Sequence, residues 1–136
     1  MDTKEHLAQE WTTLQNNHEA YERSALWIKL AAVVLSALAW VAGLVPEVLA
    51  ALVLMLWCQE AVLKTWQNRL AERLVGIEAM FRGDAEGVVQ PFQLHSQWLA
   101  QRPGLKGLLL DYARSAIRPT VAFPYVALLL LTMLYL

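Results

Sequence analysis

Apolar residues over the first 82 positions form two stripes. Leu7, Leu14 and Tyr21 recur every seven residues, with Trp11 and His18 four after the first two, and the row continues as Ile28 and Leu35. Leu56, Leu63, Leu70 and Ile77 step by seven likewise, with Leu74 and Phe81 in the interposed row. That period marks amphipathic helix. Superimposed on the stripes are three uncharged runs: Leu30 to Val45, Val48 to Cys58 resuming at Ala61 after Gln59 and Glu60, and Pro119 to Leu136. A helix over 24–45 measures about 33 Å, close to the ~30 Å hydrocarbon thickness of a bilayer. Only Gly43-Leu44-Val45-Pro46-Glu47 separates the first two runs. Its Gly and Pro break the helix and return the chain antiparallel.

The pattern predicts an all-α integral membrane protein: a transmembrane helical hairpin extended into a cytoplasmic antiparallel coiled-coil-like stalk, an interfacial helix and a third, C-terminal transmembrane helix. Residues 1–24 form a cytoplasmic amphipathic helix continuous with the first span, 24–45. The second span, 46–63, continues as a cytoplasmic extension over 64–82. Residues 83–118, punctuated by Gly83, Gly87, Pro91 and Arg102-Pro103-Gly104, hold two short helices, of which Leu105 to Ile117 suits an interfacial position. Residues 119–136 form the third span, with Pro124 placed to kink it, although a re-entrant or shallow interfacial helix fits the same composition. Trp27, Trp40, Trp66, Trp98, Tyr112 and Tyr135 stand where aromatic belts form.

Composition supports lipid contact. Hydrophobic residues make up 57% of the 136 positions and charged residues 17%, with a mean hydropathy of +0.37; soluble domains hold roughly 45–50% apolar residues even with Gly counted. This argues against a soluble enzyme. The single Cys58 excludes a disulfide framework and a thiolate metal cage, and a net charge of −1 argues against a nucleic-acid partner. Lys64, Arg69, Arg73, Arg82, Arg102, Lys106, Arg114 and Arg118 lie between the second and third runs, and the 43–47 connector has no basic residue. The positive-inside rule places the N-terminus and middle segment in the cytoplasm, in a bacterial inner membrane, with the C-terminus outside. No apolar stretch precedes residue 24, so a signal peptide is not expected.

In an antiparallel hairpin about this turn, residues whose numbers add to about 89 or 90 share one height. The stalk interface is then Leu7, Trp11, Leu14 and Tyr21 against Leu63, Leu70, Leu74, Ile77 and Phe81. Residues 1–24 carry five acidic and two basic groups, net −3, and 64–82 four basic and two acidic, net +2. The heights set Glu19 near Arg69 and Arg73, and Glu5 and Glu10 near Arg82. Lys29 and Glu60 share one depth inside the spans, and Lys29 lies on a small-residue seam of Ala25, Ala32, Ser36, Ala39 and Gly43 suited to close helix packing. Three readings stay open for them: each contacts water at the membrane boundary, the two pair within the chain, or they form an ion or proton site.

Candidate chemistry is sparse. His6 and Glu10, and His18 and Glu22, have i,i+4 spacing, but no further ligands accompany them and no metal is expected. His95-Ser96 lacks the context of a nucleophile, and Gly104-Leu105-Lys106-Gly107 lacks the strands of a nucleic-acid-binding loop. In helix count the chain resembles bacterial diacylglycerol kinases, whose acidic and Asn-rich catalytic segments have no counterpart here. Over residues 20–82 the hairpin followed by a basic helix resembles two-span membrane effectors of nucleotide-signalling defence systems, a likeness implying oligomers that perturb the membrane. The expected role is a non-enzymatic, oligomerising scaffold or an accessory subunit of a membrane complex, without cofactor or small-molecule substrate. Its partners are the lipid bilayer and copies of itself or other membrane subunits. The alternative is an oligomeric pore with a polar path at Lys29, Ser36, Gln59 and Glu60.

Overall fold

The computed structural model describes residues 2–84 and 89–134, so the expectations for Gly87 and Tyr135 lie outside the described residues. The described residues form five helices: α1 (Thr3–Val41), α2 (Pro46–Arg82), α3 (Leu94–Gln101), α4 (Leu105–Ala116) and α5 (Pro119–Leu134). α1 runs unbroken through residue 24 and α2 through residue 63, so each polar segment and its apolar continuation form one rod.

Gly43 reverses the chain between the rods. It adopts φ +67°, a left-handed conformation that costs a side-chain-bearing residue energy. Its N–H donates to the Trp40 carbonyl at 3.2 Å, and the Leu44 N–H to that of Ala39 at 2.9 Å, capping the end of α1. Pro46 follows at the start of α2, where its missing N–H leaves no intrahelical bond unmade.

Two apolar clusters hold the rods together. Toward the turn, Ala32, Ala39, Leu49 and Val53 pack with Tyr125 and Leu128 of α5. Toward the other end, Leu7, Leu14, Leu70, Leu74 and Ile77 pack together, with Trp11, Tyr21, Met80, Val89 and Leu94 around them. Burying each such Leu or Ile stabilises by about 1.5–3 kcal/mol before the entropy of ordering is counted.

α1 and α2 are each long and apolar enough to cross a membrane, which is consistent with a membrane location. α4 and α5 meet the same test only as a pair, bent by 72° at their junction. α5 itself has 16 residues and stays helical through Pro124. Both helices are fastened to α2: for α4, the Thr65 and Ser115 hydroxyls meet at 2.9 Å and the Trp57 indole donates to the Ala116 carbonyl at 3.0 Å, and for α5 the Tyr125 hydroxyl donates to Glu60.

Candidate functional site

A line of ionisable side chains runs between the rods, and its most enclosed member lies in the apolar half. Lys29 Nζ is 3.0 Å from Glu60 Oε1, and the Tyr125 hydroxyl donates to Glu60 Oε2 at 2.6 Å. The Glu60 side chain is 0% exposed and that of Lys29 22%. Tyr125 is held over Glu60 by stacking on Trp57, with centroids 6.0 Å apart and rings within 7° of parallel. A carboxylate removed from water needs a countercharge and hydrogen bonds, and here α1 supplies the countercharge and α5 one hydrogen bond. Of the three sequence-level alternatives, the geometry is that of the intramolecular pair.

Toward the polar half, Lys64 donates to Glu22 at 2.6 Å and to Gln67 Oε1 at 3.0 Å. Gln67 in turn donates to Glu22 at 2.8 Å and to the His18 carbonyl at 3.2 Å. The Lys64 hydrogen bond first, and that of Gln67 second, hold the Glu22 carboxyl below its ordinary value against an opposing effect of burial. Further along, Arg73 grips the buried Glu10 carboxylate with two nitrogens and also donates to Gln97 and to the Gln90 carbonyl. Glu10 accepts the backbone N–H of Phe92 at 2.7 Å, fixing a residue with φ +60°.

The charge partners differ from those expected from equal heights. Arg73 binds Glu10 rather than Glu19, Arg82 pairs with the neighbouring Asp84, and Glu19 accepts a hydrogen bond from Gln15. A long guanidinium selects the carboxylate that the 90–97 segment encloses with it, so enclosure outweighs nearest height.

On the small-residue seam, Ala25, Ala32, Ser36 and Ala39 are buried, whereas Gly43 is exposed in the turn because the helix ends before it. Of the proposed polar path, Lys29 and Glu60 pair and Ser36 is buried on the same face of α1. Gln59 is exposed, since the adjacent helical position points about 100° away from Glu60. Of the residues expected between the polar halves of the rods, Leu63 is half-buried outside both clusters. Phe81 is 49% exposed in the last turn of α2, where it lines a shallow cavity with Ala8 and Trp11. Cys58 is exposed on the outer face of α2.

The candidate metal carboxylates are engaged elsewhere, Glu10 by Arg73 and Glu22 by Lys64, while His6 packs edge-on against Phe92. Among the described residues no group of three or more His, Cys, Asp or Glu is placed to hold a metal ion. Sequence reasoning missed Tyr125 as the third partner of the buried pair. Its signal was a hydroxyl-bearing aromatic within an apolar run, which does not reveal the facing helix. No protein-family model matches the chain, and neither the curated proteins nor the solved structures give a match.

Proposed function

We propose that the chain is a small integral membrane protein without catalytic activity, serving as an oligomerising scaffold or accessory subunit of a membrane complex. One observation carries the reading: the apolar half is inside-out. Its large hydrophobics face outward, with Trp27 71%, Val41 89% and Phe123 76% exposed, while Glu60 and Ser36 are turned inward. An apolar face extending over three helices is the low-energy arrangement against lipid or neighbouring helices and a costly one against water. The basic residues gather at the opposite end, which supports a cytoplasmic stalk, a turn outside and a C-terminus outside. The ionisable groups between the rods are engaged with one another rather than opening on a substrate, which favours a structural role over an enzymatic one.

Single cysteines in a Cys58→Ser background test this. Asn16→Cys and Val75→Cys are expected to react with an impermeant thiol reagent only from the cytoplasmic side, and Val45→Cys only from outside. The chain is expected to need detergent for extraction and to run as a multiple of its 15.4 kDa monomer or with a membrane partner. Labelling of positions 16 and 75 on opposite sides, or a chain soluble without detergent, overturns the membrane reading. A lone monomer overturns the scaffold, and an ion leak in reconstituted vesicles that Glu60→Gln abolishes replaces it with a pore.

A further inference from the structure

Three cavities converge on Arg69. One of about 590 Å³ lies among α1, α2 and α3, one of about 430 Å³ among α2, α3 and α4, and a smaller one of about 150 Å³ adjoins α4; all three are lined by both Arg69 and Trp98. The Arg69 guanidinium carbon is 4.4 Å from the Trp66 ring centroid and 4.3 Å from that of Trp98, and Arg102 stands 5.5 Å from Trp98. Two indole faces fix the guanidinium in place. They do not accept its N–H groups in the plane of the fork, and Nη1 is buried with no hydrogen-bond partner. A buried charged donor in that state favours an incoming acceptor.

The 430 Å³ cavity brings Arg114 and Arg118 to the same space as Arg69, against Glu72 and Asp111, leaving three positive groups to two negative. Asp111 stands 3.9 Å from Arg114, and Arg118 donates to Asn68 at 3.0 Å. Arginine forks suit the tetrahedral oxygens of a phosphate.

We infer that this cleft binds the phosphodiester headgroup of an anionic phospholipid. Its position separates a lipid from a soluble phosphate. Arg118 immediately precedes the apolar α5, and Arg69 lies just beyond the apolar stretch of α2. The adjoining cavity is walled by Leu105, Leu108 and Tyr112, and Leu105 and Ile117 are exposed on the same helix and its cap. A dissolved anion has no use for that apolar border, whereas an acyl chain leaving the headgroup would lie along it. Basic pockets of this kind, on the cytoplasmic side of membrane helices, suit anionic lipids.

The inference rests on the membrane reading, and native mass spectrometry of the full chain keeps the two apart. The protein is exchanged from detergent into phosphatidylcholine with or without phosphatidylglycerol, and retained lipid is counted. The wild type is expected to retain phosphatidylglycerol over phosphatidylcholine by about tenfold, with Arg69→Gln removing most of the preference, as loss of a charged hydrogen bond implies. Arg69→Lys should be intermediate and Lys106→Gln, outside the cleft, unchanged. If Arg69→Gln misfolds by circular dichroism, the exposed pair Arg114→Gln and Arg118→Gln carries the test. Equal retention of the two lipids by a properly inserted wild type overturns the inference while leaving the membrane reading intact. Inorganic phosphate displacing the lipid at equal concentration assigns the site to a soluble anion and overturns it too.

Discussion

Glu10 and Arg73 form a two-pronged ion pair in which Nε lies 2.8 Å from Oε1 and Nη2 3.1 Å from Oε2, with both side chains almost fully buried. Because the same groups also hold Phe92, Gln90 and Gln97, the pair fastens the segment after α2 to the far end of α1. Arg73→Ala leaves a buried carboxylate without its countercharge and is expected to cost about 3–5 kcal/mol. Glu10→Leu combined with Arg73→Met should cost distinctly less than the two single changes added together. Thermal melts by circular dichroism in a mild detergent decide this, and strict additivity would remove the coupling.

Lys29→Met is expected to destabilise more than Glu60→Gln. Glu60 is wholly enclosed and keeps its charge problem when Lys29 goes, whereas the partly exposed Lys29 has room to reach outward when Glu60 is neutralised. Tyr125→Phe removes a single buried hydrogen bond to a charged acceptor and should cost about 1.5–3 kcal/mol. A Tyr125→Phe variant as stable as the wild type would show that Glu60 does not depend on that hydroxyl.

Glu22 gives a pH dependence whose sign follows from its partners. Lys64 and Gln67 lower its folded value below the unfolded one, so its contribution is present above the ordinary carboxylate range and lost as pH falls through the folded value. The difference in melting temperature between wild type and Glu22→Gln should be largest near neutrality and shrink toward zero below about pH 4. A difference that grows in acid would reverse the assignment.

Two glycines are expected to respond oppositely to alanine. A Cβ on Gly107 would stand 2.5 Å from Cβ of Pro103, whose ring cannot swing aside, so Gly107→Ala should cost about 1–3 kcal/mol. A Cβ on Gly76, within α2, meets nothing inside 4 Å, and Gly76→Ala should stabilise by about 0.5–1 kcal/mol. Chemical denaturation of the two variants against wild type checks both signs.

The rods and their register were legible because they depend on local periodicity: seven-residue steps, a Gly and a Pro at the turn, and one Lys and one Glu equidistant from it. Equal heights point Arg73 to Glu19 instead of Glu10 because the decisive enclosure comes from Gln90 to Gln97, a segment without periodic pattern that docks by tertiary contact. The Trp66–Arg69–Trp98 arrangement was invisible for a similar reason. Its first two members are neighbours on one helix, but Trp98 arrives from α3, and no spacing encodes where a short connected helix will land. Phe81 followed the stripe in sequence yet lies open, since α2 ends one residue later.

The ion pairs between the rods reverse their sense along the hairpin: α1 supplies the acid at Glu10 and Glu22 and the base at Lys29. Two α1 rods from separate copies, laid side by side in the same direction, would oppose carboxylate to carboxylate and ammonium to ammonium at every one of these levels. Parallel self-association through this face of α1 is therefore opposed by like charges at three levels, and copies that assemble must meet through other surfaces.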